Sequence, residues 1–144
     1  MNQMNNPLVT IGIPVYNVEK FIVKSLKSVL CQDYDYIDIL IMYDESSDNS
    51  LNLVNQILLD SRFPFRIINN TGNKSSIGIA RNTIIDNYNG DYLYFLDSDD
   101  FLEDNCISLL ISRALKYDAE IVKSSHRFID ENEKTADLVH DTKT

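Results

Sequence analysis

Three carboxylates crowd into four residues at the point where an apolar run stops: Leu93 to Leu102 reads LYFLDSDDFL, and Asp97, Asp99 and Asp100 follow directly on Leu96. Two such carboxylates about 5 Å apart repel by roughly 3 kcal/mol at an effective dielectric of about 20. A divalent cation relieves that repulsion, and Mg²⁺ and Mn²⁺ both favour one or two carboxylates completed by phosphate oxygens and water. A short acidic motif of this kind therefore suits metal-assisted binding of a phosphorylated ligand. The competing reading is a solvated acidic loop ahead of a helix, whose first turn favours negative charge.

Two further segments carry groups that would complement a nucleotide. Tyr16 can offer a flat face to a base, and Asp44 can accept a hydrogen bond from a ring N–H, a combination that suits uracil. Each residue has a plainer alternative: Tyr16 as a helix-entry residue packed on a sheet, Asp44 as a turn or capping residue. A metal on Asp99 would supply the positive charge that a diphosphate needs. Lys74 and Arg81 could add a second cation, although Lys74 reads equally well as an exposed lysine and Arg81 as a helix-surface partner of Asp86 or another acid.

These residues must be positioned by regular elements, and the pattern supplies them. Leu8 to Tyr16 alternates as a strand ending at Pro14, after which Asn17 is placed to cap a helix with Val18, Phe21, Ile22, Leu26, Val29 and Leu30 on one face. Ile37 to Met42 is an unbroken apolar run, as expected of a strand covered on both faces. Asp44 to Asp48 ends it and offers caps for a helix through Leu51, Val54, Ile57 and Leu58. A third strand is expected over Phe65 to Ile68, a helix from Ile77 to Tyr88 closed by Asn89-Gly90, and a fourth strand over Tyr92 to Leu96. A helix from Asp104 to Tyr117 and a fifth strand from Glu120 to Phe128 complete the series.

Strands alternating with helices in this way predict an α/β fold, a mostly parallel central sheet with helices on both faces. Ligands of such sheets gather outside the carboxyl ends of the strands. That rule joins three separated loops, Pro14 to Asn17, Tyr43 to Asp48 and Asp97 to Asp100, into one expected site.

A chain of 144 residues that is 44 % hydrophobic can build a real core, and its 13 basic against 22 acidic residues, a net charge of −9, argue against unaided binding of nucleic acid or an acidic membrane surface. Cys31 and Cys106 have neither CxxC spacing nor a histidine at ligand spacing and read as reduced thiols. No apolar run approaches the length of a membrane span, so no transmembrane segment and a cytoplasmic location are expected. Residues 129–144 are polar and unpatterned.

Four blocks in order, VTIGIPVYNVEKF with SLKSVLCQ, ILIMYDESSDNS, NNTGNKSSIGIARN and GDYLYFLDSDDFL, resemble the inverting family 2 glycosyltransferases. The resemblance covers Val9 to Phe128. It implies a Rossmann-like GT-A fold for nucleotide-diphospho-sugar transfer, here truncated, with residues 1–128 as the donor-binding domain and 129–144 as a flexible tail or the beginning of a missing acceptor half. It also implies a UDP-sugar donor, Mn²⁺ or Mg²⁺ as cofactor, and a carbohydrate or glycolipid acceptor in surface-polysaccharide or glycolipid synthesis, with membrane association supplied by a missing region or a partner.

By the same resemblance Pro14 and Tyr16 contact the nucleoside, Asp44 reads uracil, Asp97 and Ser98 approach ribose or donor sugar, Asp99 holds the metal, and Arg81 and Asn82 match the Ala-Arg-Asn segment near the donor. Asp100 is usually present too. Tyr43 stands where the family has its first acid and Glu45 where it has glycine, so the pocket is expected to differ there; any φ > 0 at residue 45 would be costly with a side chain. An inverting transfer needs a carboxylate to take the acceptor proton. That base is expected beyond Thr144, and His126 and His140 read as surface residues. The alternative is a catalytically silent nucleotide-binding or interaction module. Other phosphate chemistries fit worse: Phe101 stands where a haloacid-dehalogenase-type phosphatase needs Thr, Val15-Tyr16-Asn17 where a receiver domain needs acids, and Gly72 and Gly78 match neither a phosphate loop nor GxGxxG.

Overall fold

A computed structural model describes residues 6–70 and 76–129. Four strands, β1 (Val9–Val15), β2 (Ile37–Asp44), β3 (Phe65–Asn70) and β4 (Tyr92–Phe95), alternate with helices α1 (Ile22–Leu30), α2 (Ser50–Leu59), α3 (Ile77–Asn87) and α4 (Cys106–Tyr117). The strands form one parallel sheet in the order β3-β2-β1-β4. Successive connections step from β1 outward to β3 and then return across to β4. The strand order therefore reverses between β1 and β4, and at such a switch point a crevice opens beyond the carboxyl ends.

Period-two alternation divides the strands between two cores. Val9, Ile11, Ile13 and Val15 with Ile37, Ile39 and Ile41 pack against Ile22 and Leu26 of α1, Val54 and Leu58 of α2, and Ile107 of α4. On the opposite face Leu40 and Met42 pack against Ala80 and Ile84 of α3. Helices thus cover both faces, as the unbroken apolar run in β2 requires. Gly12 makes the second layer possible: a Cβ there would lie 2.4 Å from Ile84 Cγ2, so only glycine lets α3 approach so closely.

Three local expectations are corrected. β1 runs through Pro14, which pairs with Met42, to Val15. Gly12 directs its carbonyl toward β4, accepting from the Leu96 amide at 3.1 Å, and Pro14 projects to the same side, past the last β1–β4 pair. Its missing N–H costs no ladder bond. Asn17 caps no helix: α1 begins at Ile22 after a turn in which the Phe21 and Ile22 amides donate to the Val18 carbonyl. Glu120 to Phe128 forms no strand. Lys123-Ser124-Ser125-His126 puts four polar side chains in succession, which leaves no apolar face to bury, and Ile121 is 89 % exposed. The segment instead lies beside β4: Val122 shares a small pocket with Tyr92, Leu93 and Tyr94, the Tyr92 hydroxyl donates to the Ala119 carbonyl just ahead of the segment at 3.3 Å, and Arg127 pairs with Glu103 in the stretch before α4.

Two networks brace the sheet at its opposite ends. Near the amino ends of the strands the buried Thr10 hydroxyl donates to Asp38 Oδ1 at 2.6 Å and accepts the Gly90 amide at 2.8 Å, which ties β2 to the turn entering β4. At the carboxyl edge, the β1–α1 and β2–α2 loops are stitched together. Asn17, in the left-handed region at φ 50°, accepts the Ser47 amide on Oδ1 at 2.9 Å and donates its own amide to Ser46 Oγ at 3.0 Å. The Val18 amide donates to Ser50 Oγ and the Glu19 amide to Asp48 Oδ2, each at 2.9 Å, while the Asn49 amide donates to Glu19 Oε2 at 3.0 Å. Burial works against the Asp48 carboxylate, but the Ser50 hydroxyl and the amides of Glu19 and Ser50 outweigh it and hold its carboxyl below the usual value.

Two outcomes are expected. Thr10→Val leaves the buried Asp38 carboxylate without its hydroxyl donor and should cost about 3 kcal/mol in urea denaturation, with the fold retained. Asp48→Ala should cost about 1 kcal/mol at pH 7. Because the folded carboxyl titrates low, its contribution is complete above the ordinary carboxylate pKa of about 3.9 and is lost as pH falls through the folded value. The difference from wild type should therefore narrow in denaturation curves taken at progressively lower pH.

Candidate functional site

One groove of about 300 Å³ opens at the switch point, lined by Pro14 and Val15 of β1, Tyr16 just after it, Asp44 from β2, Ile77 and Ala80 from α3, and Asp97, Ser98 and Asp99 after β4, among others. The fold thus brings Pro14, Tyr16, Asp44, Asp97, Ser98 and Asp99 to one groove from the carboxyl ends of β1 and β2 and the turn after β4. Tyr16 is 45 % exposed and lines the groove, so its ring does not serve as a core residue. Asp44 is buried, and its Oδ1 accepts a 2.6 Å hydrogen bond from Asn70 Nδ2 at the end of β3.

Arg81 reaches the site indirectly. Its guanidinium donates to Asp97 Oδ1 at 2.8 Å and lies over the Phe95 ring, so it pairs with Asp97 and not with Asp86. Its Nε is buried and meets no acceptor among the described residues. Lys74 lies outside the described residues. Ser98 is buried between the two acids, whereas Asp99 and Asp100 are exposed.

The acidic turn is electrostatically crowded. Burial first, then the negative charges of Asp99 and Asp97, push the Asp100 carboxyl above its usual value, and His126 opposes the rise. No group of three or more potential metal ligands occurs among the described residues. Two carboxylates suffice for Mg²⁺ or Mn²⁺ when a bound diphosphate and water complete the shell, and the crowding of charge at Asp97, Asp99 and Asp100 is what a divalent cation would relieve.

The departures at residues 43 and 45 have a local resolution. Glu45 is exposed and does not have a positive φ; among the described non-glycine residues only Asn17 and Asp118 do. A side chain is therefore accommodated there without backbone strain. The Tyr43 hydroxyl accepts the Ser46 amide at 3.0 Å and so helps shape the loop.

The groove walls Val18, Met42, Ile77 and Ala80, and Asn70 bonded to Asp44, carry no site signal in the sequence. Apolar wall residues carry the same periodicity as core residues and give no separate signal. Asn70 becomes recognisable only through the β2–β3 register, which pairs it with Asp44.

Comparison with known proteins agrees with this architecture. The family model described as glycosyl transferase family 2 matches residues 10–142. The chain is 32 % identical over 125 residues to glycosyltransferase GlyA of Streptococcus pneumoniae, covering 87 % of this chain and 18 % of that protein. It is 36 % identical over 129 residues to the UDP-Glc:alpha-D-GlcNAc-diphosphoundecaprenol beta-1,3-glucosyltransferase WfgD of Escherichia coli, covering 90 % of this chain and 49 % of the relative. The crystal structure of Staphylococcus aureus TarS 1-349 in complex with UDP-GlcNAc superposes with a TM-score of 0.65 at 25 % identity, over 77 % of this chain and 31 % of that one. The chain thus spans at most about half the length of these relatives. No described helix is long and apolar enough to cross a membrane. With four ordered blocks, a parallel sheet reversed at β1 and a family match over nearly its whole length, the chain belongs to the family 2 glycosyltransferases of the GT-A fold.

Proposed function

We propose that this chain is the donor-binding part of a metal-dependent, inverting glycosyltransferase that takes a sugar from a UDP-sugar and passes it to a carbohydrate or glycolipid hydroxyl in surface-polysaccharide or glycolipid assembly. The observation that carries this reading is the single groove in which a ring face, a buried carboxylate acceptor and an acid pair share one mouth. The relatives support it, since WfgD is named for a UDP-Glc donor and TarS binds UDP-GlcNAc.

In this reading residues 1–128 form the donor domain. The Tyr16 ring covers one face of uracil and excludes water from it, while Asp44 accepts the ring N3–H. Pro14 shapes the nucleoside wall. Asp97 and Ser98 approach the ribose or the donor sugar, and Asp97 is oriented for this by Arg81. The remaining guanidinium N–H groups of Arg81 add positive charge beside the diphosphate, with Lys74 as a second cation. Mn²⁺ or Mg²⁺ on Asp99 would supply the charge that stabilises the departing nucleoside diphosphate. The acceptor hydroxyl attacks the anomeric carbon opposite the diphosphate, the bond from that carbon to the diphosphate oxygen breaks, and the hydroxyl proton passes to a carboxylate base outside residues 1–144.

Isothermal titration with UDP tests the reading. Binding should require Mn²⁺ or Mg²⁺ and weaken at least about tenfold in Asp99→Ala, the loss of one charge-assisted contact. Equal binding without metal, or binding undiminished in Asp99→Ala, would overturn it. Tyr16→Ala should weaken UDP about tenfold through lost stacking and leave the affinity for metal-bound pyrophosphate unchanged in the same titration.

A further inference from the structure

We infer that Asn70, which nothing in the family blocks marks as a donor contact, is the positioning residue that makes Asp44 selective for uracil over guanine. The inference rests on the uridine reading of the groove and goes one step further, to the origin of base choice. β2 and β3 run parallel with Asp44 and Asn70 as their last register pair, so both side chains stand on the sheet face that carries α3. Asn70 Nδ2 donates to Asp44 Oδ1 at 2.6 Å. Asp44 lines the groove, whereas Asn70 is not among its lining residues and acts through Asp44.

The consequence follows from the hydrogen-bonding edges of the bases. Uracil presents one donor, N3–H, between two carbonyl acceptors. Guanine presents two adjacent donors, N1–H and the N2 amino group, which match both oxygens of a carboxylate in the bidentate manner that strengthens charge-assisted pairs. A carboxylate free to turn both oxygens to the ligand therefore favours guanine. Asn70 engages one of those oxygens and fixes the carboxylate plane, so guanine loses its matched pair while the single N3–H of uracil can still be met. Cytosine is disfavoured separately, because its N3 lone pair would face the negative charge.

The arrangement is sensitive to register. Shifting β3 by one residue along β2 would turn the Asn70 amide to the other face of the sheet. Ile67 and Ile68, paired with Ile41 and Met42, are packed against the two cores and hold that register.

The test is the affinity of UDP and of GDP, each with Mn²⁺, for the wild-type chain, Asn70→Ala, Asp44→Ala and the double variant, measured by calorimetry, with a melting curve for each protein. Wild type should prefer UDP. Asn70→Ala should weaken UDP about fivefold to tenfold, the worth of one hydrogen bond to a charged group, and leave GDP unchanged or tighter, so that the preference shrinks. Adding Asn70→Ala to Asp44→Ala should change nothing further. Asn70→Asp keeps the size but replaces the donor with an acceptor, and should lose the preference at least as far.

A loss that is equal for UDP and GDP, or equal with and without Asp44, would overturn the inference, as would an Asn70→Asp protein that keeps its preference. Wild-type protein that binds UDP but shows an unaltered UDP-to-GDP ratio in both Asn70 variants would defeat the role of Asn70 alone. Wild-type protein that binds no uridine nucleotide would defeat the donor reading itself and this inference with it.

Discussion

Every residue of β1 is buried, and the geometry of the groove depends on that confinement. β1 lies between β2 and β4 with α1 and α3 on its two faces, so it can neither slide nor tilt without breaking two ladders and two cores. Its last residues, Pro14 and Val15, emerge where β4 has already stopped pairing, and the gap so created is the mouth of the groove. The Thr10 hydroxyl extends the same constraint sideways by binding Asp38 of β2 and the Gly90 amide ahead of β4 in one buried network. A displacement of β1 would therefore be transmitted to Tyr16, Asp44 and the acidic turn together.

On this rigid base the protein gathers negative charge. Three aspartates follow β4, and the chain as a whole carries a net charge of −9, so long-range steering does not draw an anionic ligand to the groove. In the proposed reading, recognition comes from short-range devices: an aromatic face, a directed carboxylate, the Arg81 guanidinium held on Asp97, and a cation that the acids would attract. The loop stitching by Asn17, Glu19, Asp48 and Ser50 serves the same end, because a loop that orders only on binding would subtract its entropy from the affinity.

Much of this was legible in the residues. The alternation of β1, the continuous apolar run of β2 and the acidic stop after Leu96 each report a local property, namely which faces of a strand are buried and where burial ends. The strand–helix alternation then located the groove, since parallel strands joined by right-handed crossovers collect their carboxyl ends on one edge. What misled were residues whose role is set by a distant partner. Asn17 has the composition of a helix cap, yet its side chain is taken by the Ser47 amide. Pro14 looks like a strand end because a proline breaks a ladder, yet β4 stops short of it. Glu120 to Phe128 has scattered apolar residues, but a strand needs a paired edge and an apolar face together.

Sequence alone determined the α/β order, the carboxyl-edge loops, the acids and the family, because these follow from periodicity, composition and the spacing of motifs within short segments. Only the tertiary structure decided that Arg81 pairs with Asp97, that Asn17 locks two loops, and that Asn70 holds the Asp44 carboxylate. Each of these is a contact between segments far apart in the chain, and such contacts depend on strand register and helix approach, which no local pattern encodes.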